Sequence, residues 1–385
     1  MPTIGSLISS EMISGETYAP SGSTLLQLTS APAFNSNIYC EMPFNDPESR
    51  YVILQRSQTT YGPWEVWRAD LQTRKLTNIA HDVAWTLGCG MSSDQRYFYC
   101  VRPDLTQKLL TIIRTEIATL KQWSTTFHKA PGKLASMGAL SLDGRYYYAS
   151  SRLGEPREHR FGVVRFDLQE ADHEVIFEAG DDLCNAHVQI DPGAGKDLLI
   201  QHNRGSEWDD EGNMLKLIGP PWCTLFLIDT DGNNRRNLPV GNPYTGACQG
   251  HQAWIGGTGD IIFTIVPGLE PEFNEPGHLL FLHPGDEKSR VINAEYDYAH
   301  PNASRDGRFF VSDTYKDKLV VVGSIKTGNC RVLCETGSTF RGNQWTHPHP
   351  YFTPDRKHVF FISDRTGTPQ VYAASVPEGL LEELD

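Results

Sequence analysis

No run of apolar residues in this 385-residue chain approaches the roughly 20 needed for a membrane-spanning helix. A membrane is therefore not an expected partner. Met1 to Ala33 contain no basic segment followed by an apolar stretch, which is the pattern of a secretory leader, so a cytoplasmic location is expected. Positive charge is scarce: 34 Lys and Arg face 47 Asp and Glu, a formal net charge of −13. Nucleic acid is bound by concentrated Lys and Arg, and this balance argues against it. An anionic ligand would need a local cation to offset the general repulsion. Eight cysteines are scattered, and only Cys330 and Cys334 lie close together, without CxxC spacing or a second pair. They read as buried or free thiols in a reducing compartment. No Ser-His-Asp motif, P-loop or dinucleotide fingerprint is found in its proper strand and helix context.

What is present is a repeat. A small polar turn with Asp or Gly, often followed by a basic residue, leads into an apolar strand. It reads Ser93-Asp94-Gln95-Arg96-Tyr97-Phe98, then Leu142-Asp143-Gly144-Arg145-Tyr146-Tyr147, and returns as Arg305-Asp306-Gly307-Arg308-Phe309-Phe310. Looser copies bring the turn position to 49, 95, 144, 195, 259, 307 and 356, with successive spacings of 46, 49, 51, 64, 48 and 49. Seven copies of a period near 48 predict an all-β, seven-bladed β-propeller, one four-stranded meander per blade, as a single domain over 1–385. Ser23 to Thr29 form a strand with no blade before it, while the last repeat lacks its outer strand. The N-terminal strand is expected to join the last blade and close the ring, which removes an open sheet edge. The long interval contains an insertion around Ser206 to Pro221, rich in Gly, Pro and acidic residues, expected as a surface loop. Acidic residues of the turns (Asp94, Asp143, Asp306, Asp355) are expected to bond turn amides.

The strand before each turn should line the central channel. In four consecutive blades it begins with a histidine at a nearly constant distance from the turn position: His187 and His251 at 8 residues, His300 and His349 at 7. Equal offsets place these side chains at one height around the axis. In Gln344-Trp345-Thr346-His347-Pro348-His349-Pro350, a period of two on an extended strand would turn His347 and His349 to one face. Three imidazoles (His300, His347, His349) and the amide oxygen of Gln344 form an open N/O set suited to Mn, Fe or Zn. Taken singly, each histidine is as readily a strand cap; the constellation is what favours a metal. Trp64, Trp67, Trp85, Trp254 and Trp345 read as blade packing, with Trp64 and Trp345 near enough to the mouth to serve a sugar.

At Thr346-His347-Pro348-His349-Pro350-Tyr351-Phe352-Thr353-Pro354-Asp355 the chain resembles the oligogalacturonate lyases, seven-bladed propeller enzymes of the bacterial cytoplasm. Gly62-Pro63-Trp64, His187, His202, His251 and His300 extend the resemblance from about Thr24 to Pro377. It implies Mn²⁺ held by His300, Gln344, His347 and His349, with His251 as the base that removes a proton. The implied substrate is a small acidic oligosaccharide, touched by His187, His202 and Trp64 and split by β-elimination. Two departures touch substrate contacts. Asn35-Ser36-Asn37 stand where the family has His-Arg-Asn, and the family's mid-chain arginine has no clear counterpart, with Thr224 near its position. Arg204 is the expected substitute. Two other readings stay open: a metal enzyme of this fold acting on another sugar acid, or a non-catalytic TolB-like propeller, which shares the turn phrase.

Overall fold

In the computed structural model, which describes residues 5, 8–60, 62–86, 88–131, 134–266, 279–341 and 344–385, four of the seven copies of the repeated phrase form the same tight connection. Asp94 Oδ1 accepts the Arg96 amide at 3.1 Å, Asp143 accepts that of Arg145 at 3.0 Å, Asp306 that of Arg308 at 3.2 Å and Asp355 that of Lys357 at 3.1 Å. A hydroxyl two residues earlier (Ser92, Ser141, Ser304 or Thr353) donates to the same carboxylate. These side-chain bonds fix the turn locally, so the expected role of the acidic turn residues holds.

Seven antiparallel sheets follow one another in chain order. The innermost strands are Phe34–Ser36, Gly90–Met91, Leu134–Leu140, Gln189–Ile190, Cys248–Trp254, Asn302–Ala303 and Tyr351–Phe352. The strand after each is apolar on both faces; Ile261–Ile265 and Phe309–Asp313 are buried throughout. Such strands are packed between neighbouring blades, which explains why they read as continuous rather than alternating apolar runs. Inter-blade contact is close: Tyr147 of blade 3 donates to the Gly88 carbonyl next to blade 2 at 2.7 Å. A Cβ on Gly138 would lie 2.0 Å from the Tyr147 hydroxyl oxygen, so only glycine fits there.

Ring closure is as the sequence predicts. Ser23–Gln27 pairs with Gln370–Ser375 of blade 7 in the register Leu26↔Ala373. Two further strands add to the seam: Ile13–Tyr18 lies outside Ser23–Gln27, and Ile8–Ser9 adds to blade 1 through Lys75–Val83. Glu11 sits between these two strands and receives Arg56 of blade 1 at 2.7 and 3.0 Å, plus the Ser30 and Ala31 amides at 3.1 Å each. Burial alone would raise its carboxyl, but the bonds from Arg56 and Ser9 outweigh that and hold it at about 2. A depressed carboxylate stabilises the fold above its unfolded value near 4.5 and loses that contribution as pH falls towards 2. Glu11→Gln is therefore expected to cost up to about 3 kcal/mol at pH 7, less for whatever share water screens. Denaturant midpoints of the two proteins should converge as the pH is lowered through this window. A difference independent of pH would remove the ion pair from the closure of the ring.

The insertion differs from its expectation as a plain loop. Glu207–Trp208 and Met214–Lys216 pair as a small separate hairpin. Gly212 at its turn has φ +83, and a Cβ there would meet the Pro156 carbonyl oxygen at 2.3 Å. The tip is thus seated against the loop that joins two strands of blade 3.

Candidate metal centre

Four consecutive blades carry histidines at the start of the inner strand, His251 on Cys248–Trp254 and His187, His300, His347 and His349 in the segments just before theirs. Ligand atoms of His300, His347 and His349 all lie within 4.8 Å of one another. His251 stacks beside them, its ring centroid 4.1 Å from that of His300. His187 reaches the same chamber through Tyr39, whose ring lies 5.3 Å from His187 and 4.5 Å from His349. The convergence expected from equal offsets is present.

The local means differ from the expectation for the His-Pro-His segment. It is not an extended strand: Gln344–Thr346 is a single 3-10 turn, and the strand begins only at Tyr351. His349 has φ +47, in the left-handed region. That twist, not strand alternation, brings the two imidazoles together. His187 shows the same device at φ +44. Backbone bonds hold the segment: Pro348 O accepts the Ile362 amide at 2.9 Å, and Asn37 Nδ2 donates to His349 O at 2.8 Å. The residues that stand in place of His-Arg-Asn thus have work of their own, since Asn35 accepts Arg56 Nε at 2.8 Å across the closing seam.

The donor set suits a cation. His300 Nε2, His347 Nδ1 and both ring nitrogens of His349 are buried without a hydrogen-bond partner. Buried polar atoms are normally satisfied, and unpartnered nitrogens from three imidazoles gathered within 4.8 Å are a set that a cation would satisfy. Burial pushes the imidazoles of His300 and His349 well below their ordinary value and lowers His347. All three are therefore neutral, the form that ligates.

Asp313 completes the arrangement. Its carboxylate, wholly buried, accepts His300 Nδ1–H at 2.9 Å and the His300 amide at 2.9 Å. This bond fixes the tautomer that turns Nε2 towards the other imidazoles. Burial pushes the Asp313 carboxyl up to about 7, and a cation beyond the imidazole favours its ionised form. Asp313→Asn is expected to weaken metal affinity roughly 10- to 100-fold, read by competition against a chelator. Unchanged affinity would show that His300 does not depend on this orientation. Asp313 was missed in the sequence because a single acid ending an apolar strand carries no pattern. Glu41, whose Oε1 lies 2.5 Å from His187 Nδ1, was missed for the same reason.

A cavity of about 690 Å³ has His187, His251 and Gln344 on its lining and adjoins the cluster through His251, which packs on His300. Such a volume is ordinary for a small-molecule site. His251 Nδ1–H donates to the Ala299 carbonyl at 3.0 Å, which leaves Nε2 with its lone pair. Burial first, and the neighbouring His300 second, push its basicity well below the usual range.

Three residues expected to touch substrate are placed elsewhere. On Asp197–His202, alternation sends Gln201 to the cavity and His202 away from it. His202 Nε2 bonds Asp182 at 2.9 Å and its ring meets Phe226 edge-on. Arg204 donates to the carbonyls of Trp222 and Pro221 at 2.8 and 2.7 Å, pinning the base of the hairpin. Trp64 is buried against Trp85, and Trp85 is the one that reaches the cavity. His202, Arg204 and Trp64, expected to touch substrate, are thus not on the lining of this cavity. Arg152, unnoticed in the sequence, is the one lysine or arginine on the cavity lining among the described residues.

Comparison with known proteins gives the following likenesses. The oligogalacturonate lyase family profile matches residues 302–380, a span containing Gln344, His347 and His349. An oligogalacturonate lyase of Dickeya dadantii (strain 3937) is 22% identical over 357 residues, covering 83% of this chain and 85% of that one. An oligogalacturonide lyase of Pectobacterium atrosepticum is 27% identical over 356 residues with the same coverage. Among solved structures, an oligogalacturonate lyase in complex with manganese superposes with a TM-score of 0.73 at 19% identity, covering 96% of this chain and 98% of that one. An oligogalacturonate lyase from Vibrio parahaemolyticus gives 0.73 at 17% identity, covering 97% and 99%. In its last two blades the chain matches the oligogalacturonate lyase family profile, it is similar over most of its length to two oligogalacturonate lyases, and it shares the seven-bladed fold of two more.

Proposed function

We propose that the protein is a metal-dependent lyase that splits short oligogalacturonides by β-elimination, giving 4,5-unsaturated products. The observation that carries this reading is the cluster of three neutral imidazoles, each with a ring nitrogen that has no hydrogen-bond partner, beside a cavity lined by His251, whose Nε2 keeps its lone pair. His300, His347 and His349 would hold the cation, with Gln344 reaching it from the 3-10 turn. Mn²⁺ is the favoured ion, by likeness to the manganese-bound relative. When bound, a divalent cation supplies the charge that lowers the cost of removing a proton next to a uronate carboxylate.

The chain's own residues supply the rest. His251 Nε2 takes the C5 proton of the uronate, and the electron pair left behind moves towards C4–C5 as the bond to O4 breaks. Held by Ala299, the imidazole is already in the tautomer that accepts at Nε2. Its depressed basicity keeps it unprotonated at neutral pH, so it is ready to act as a base. His187, braced by Glu41, lies on the same cavity and would contact the sugar. A cation here would also give a −13 chain the local positive charge that an anionic sugar requires.

The test is an ultraviolet assay on di- and trigalacturonate with protein stripped of metal and then resupplied with Mn²⁺. Absorbance of a conjugated product that grows only with metal is the expected result. Tightly bound metal by elemental analysis without absorbance would move the protein to another sugar acid. Absence of both would favour a non-catalytic propeller.

A further inference from the structure

One wall of the cavity is built by the hairpin inserted in blade 4 and by the end of Tyr146–Arg152 in blade 3. Arg152 stands where they meet. Its guanidinium lies 5.7 Å from the Trp208 ring and 5.3 Å from the Phe161 ring, and its Nη2 donates to Gly212 O at 3.4 Å. Its Nε is buried and unpartnered. Within the same blade Arg145, Arg160 and Arg165 are each matched to a carboxylate, at Asp167, Glu178 and Glu174. Arg152 has no such partner among the described residues, although the chain carries an excess of acids. Glu211, the one Asp or Glu on the lining, is exposed on the hairpin.

Arg152 is half-buried, and a guanidinium partly shielded from water without a counter-charge is an anion-seeking group. Its planar fork fits a carboxylate in two parallel bonds, and stacking on Trp208 and Phe161 holds that fork in orientation. Trp208 is itself fixed, by its Nε1 bond to Ser206 at 3.1 Å and by stacking on His159. The hairpin tip that supplies Gly212 is seated on Pro156 and does not hang free.

We propose that Arg152, framed by the hairpin, forms a second carboxylate subsite that takes the uronate unit adjoining the one presented to the histidines. This rests on the reading of the site as one for oligouronides. All the contacts of Arg152 given above are with this wall, while the imidazole cluster packs against Tyr39, Tyr315 and Phe340. One cavity thus offers two anion-directed points, and a substrate carrying two carboxylates meets both. Arg152 is then a specificity-determining residue that selects oligomers over the monomer.

The test uses calorimetric binding of digalacturonate and of monogalacturonate to the Mn²⁺-loaded protein and to Arg152→Gln and Arg152→Lys, with metal content and melting temperature as controls. Arg152→Gln is expected to weaken digalacturonate roughly 10- to 100-fold, leave monogalacturonate unchanged and raise KM with little effect on kcat. Arg152→Lys should recover part of the loss. Equal losses for both ligands, no loss for either, or a fall in kcat accompanied by loss of metal would overturn the subsite. Loaded wild-type protein that neither binds nor cleaves any oligouronide would instead defeat the functional reading on which the subsite rests.

Discussion

His347→Ala is expected to lose bound metal and activity together, while the propeller itself remains folded. His347 is partly buried at the edge of the chamber, so its removal deletes a ligand without opening a hole in a blade core. His349 is a poorer choice for this test because it is wholly enclosed beneath Tyr39 and its backbone is pinned by Asn37. Two imidazoles are a weak clamp for Mn²⁺, an ion that ranks low among divalent first-row metals in affinity for nitrogen sites. Elemental analysis after dialysis should therefore find little metal in the variant. Turnover should fall to the background of the stripped wild type. Metal retained at full stoichiometry, above all in His347→Ala/His349→Ala, would dismantle the proposed centre.

His251→Ala should separate binding from chemistry. The ring is held by the Ala299 carbonyl and packs on His300 without belonging to the three-imidazole group. Metal content should stay close to that of the wild type. Loss of a positioned general base commonly costs 10²- to 10⁴-fold, or roughly 3–5 kcal/mol of barrier, and the loss should fall on kcat. Wild-type turnover in this variant would exclude His251 as the base. Loss of metal with turnover would instead make His251 part of the cation's support.

Particular elements show what was readable in advance and what was not. The turn phrase carries its own bonds, from Asp143 to the Arg145 amide and from Ser141 to Asp143, so its meaning is local and visible in sequence. The N-terminal strand was legible because a closed ring of seven meanders leaves one outer strand missing. His187, His251, His300 and His349 were singled out because near-equal offsets in equivalent strands amount to near-equal heights in a ring, and His347 by its place two residues before His349. By contrast, His202 was expected at the substrate and faces Asp182, because its side depends on strand register relative to a cavity that the sequence does not display. Arg204 was expected there too, but two carbonyls at the foot of the hairpin claim its guanidinium.

The sequence by itself determined the repeat, the all-β class, the closure of the ring and the level at which histidines meet, because each follows from periodicity and short-range bonding. Tertiary structure alone decided the left-handed twist at His349, the bracing of His300 by Asp313 and of His187 by Glu41, and the turning of Arg152 rather than Arg204 towards the cavity. Asp313 ends the strand that follows His300 in the same blade, 13 positions on, whereas Glu41 comes to His187 from 146 positions away. The first contact is set by the fold of one blade and the second by the packing of blades around an axis, and nothing in the spacing along the chain records either.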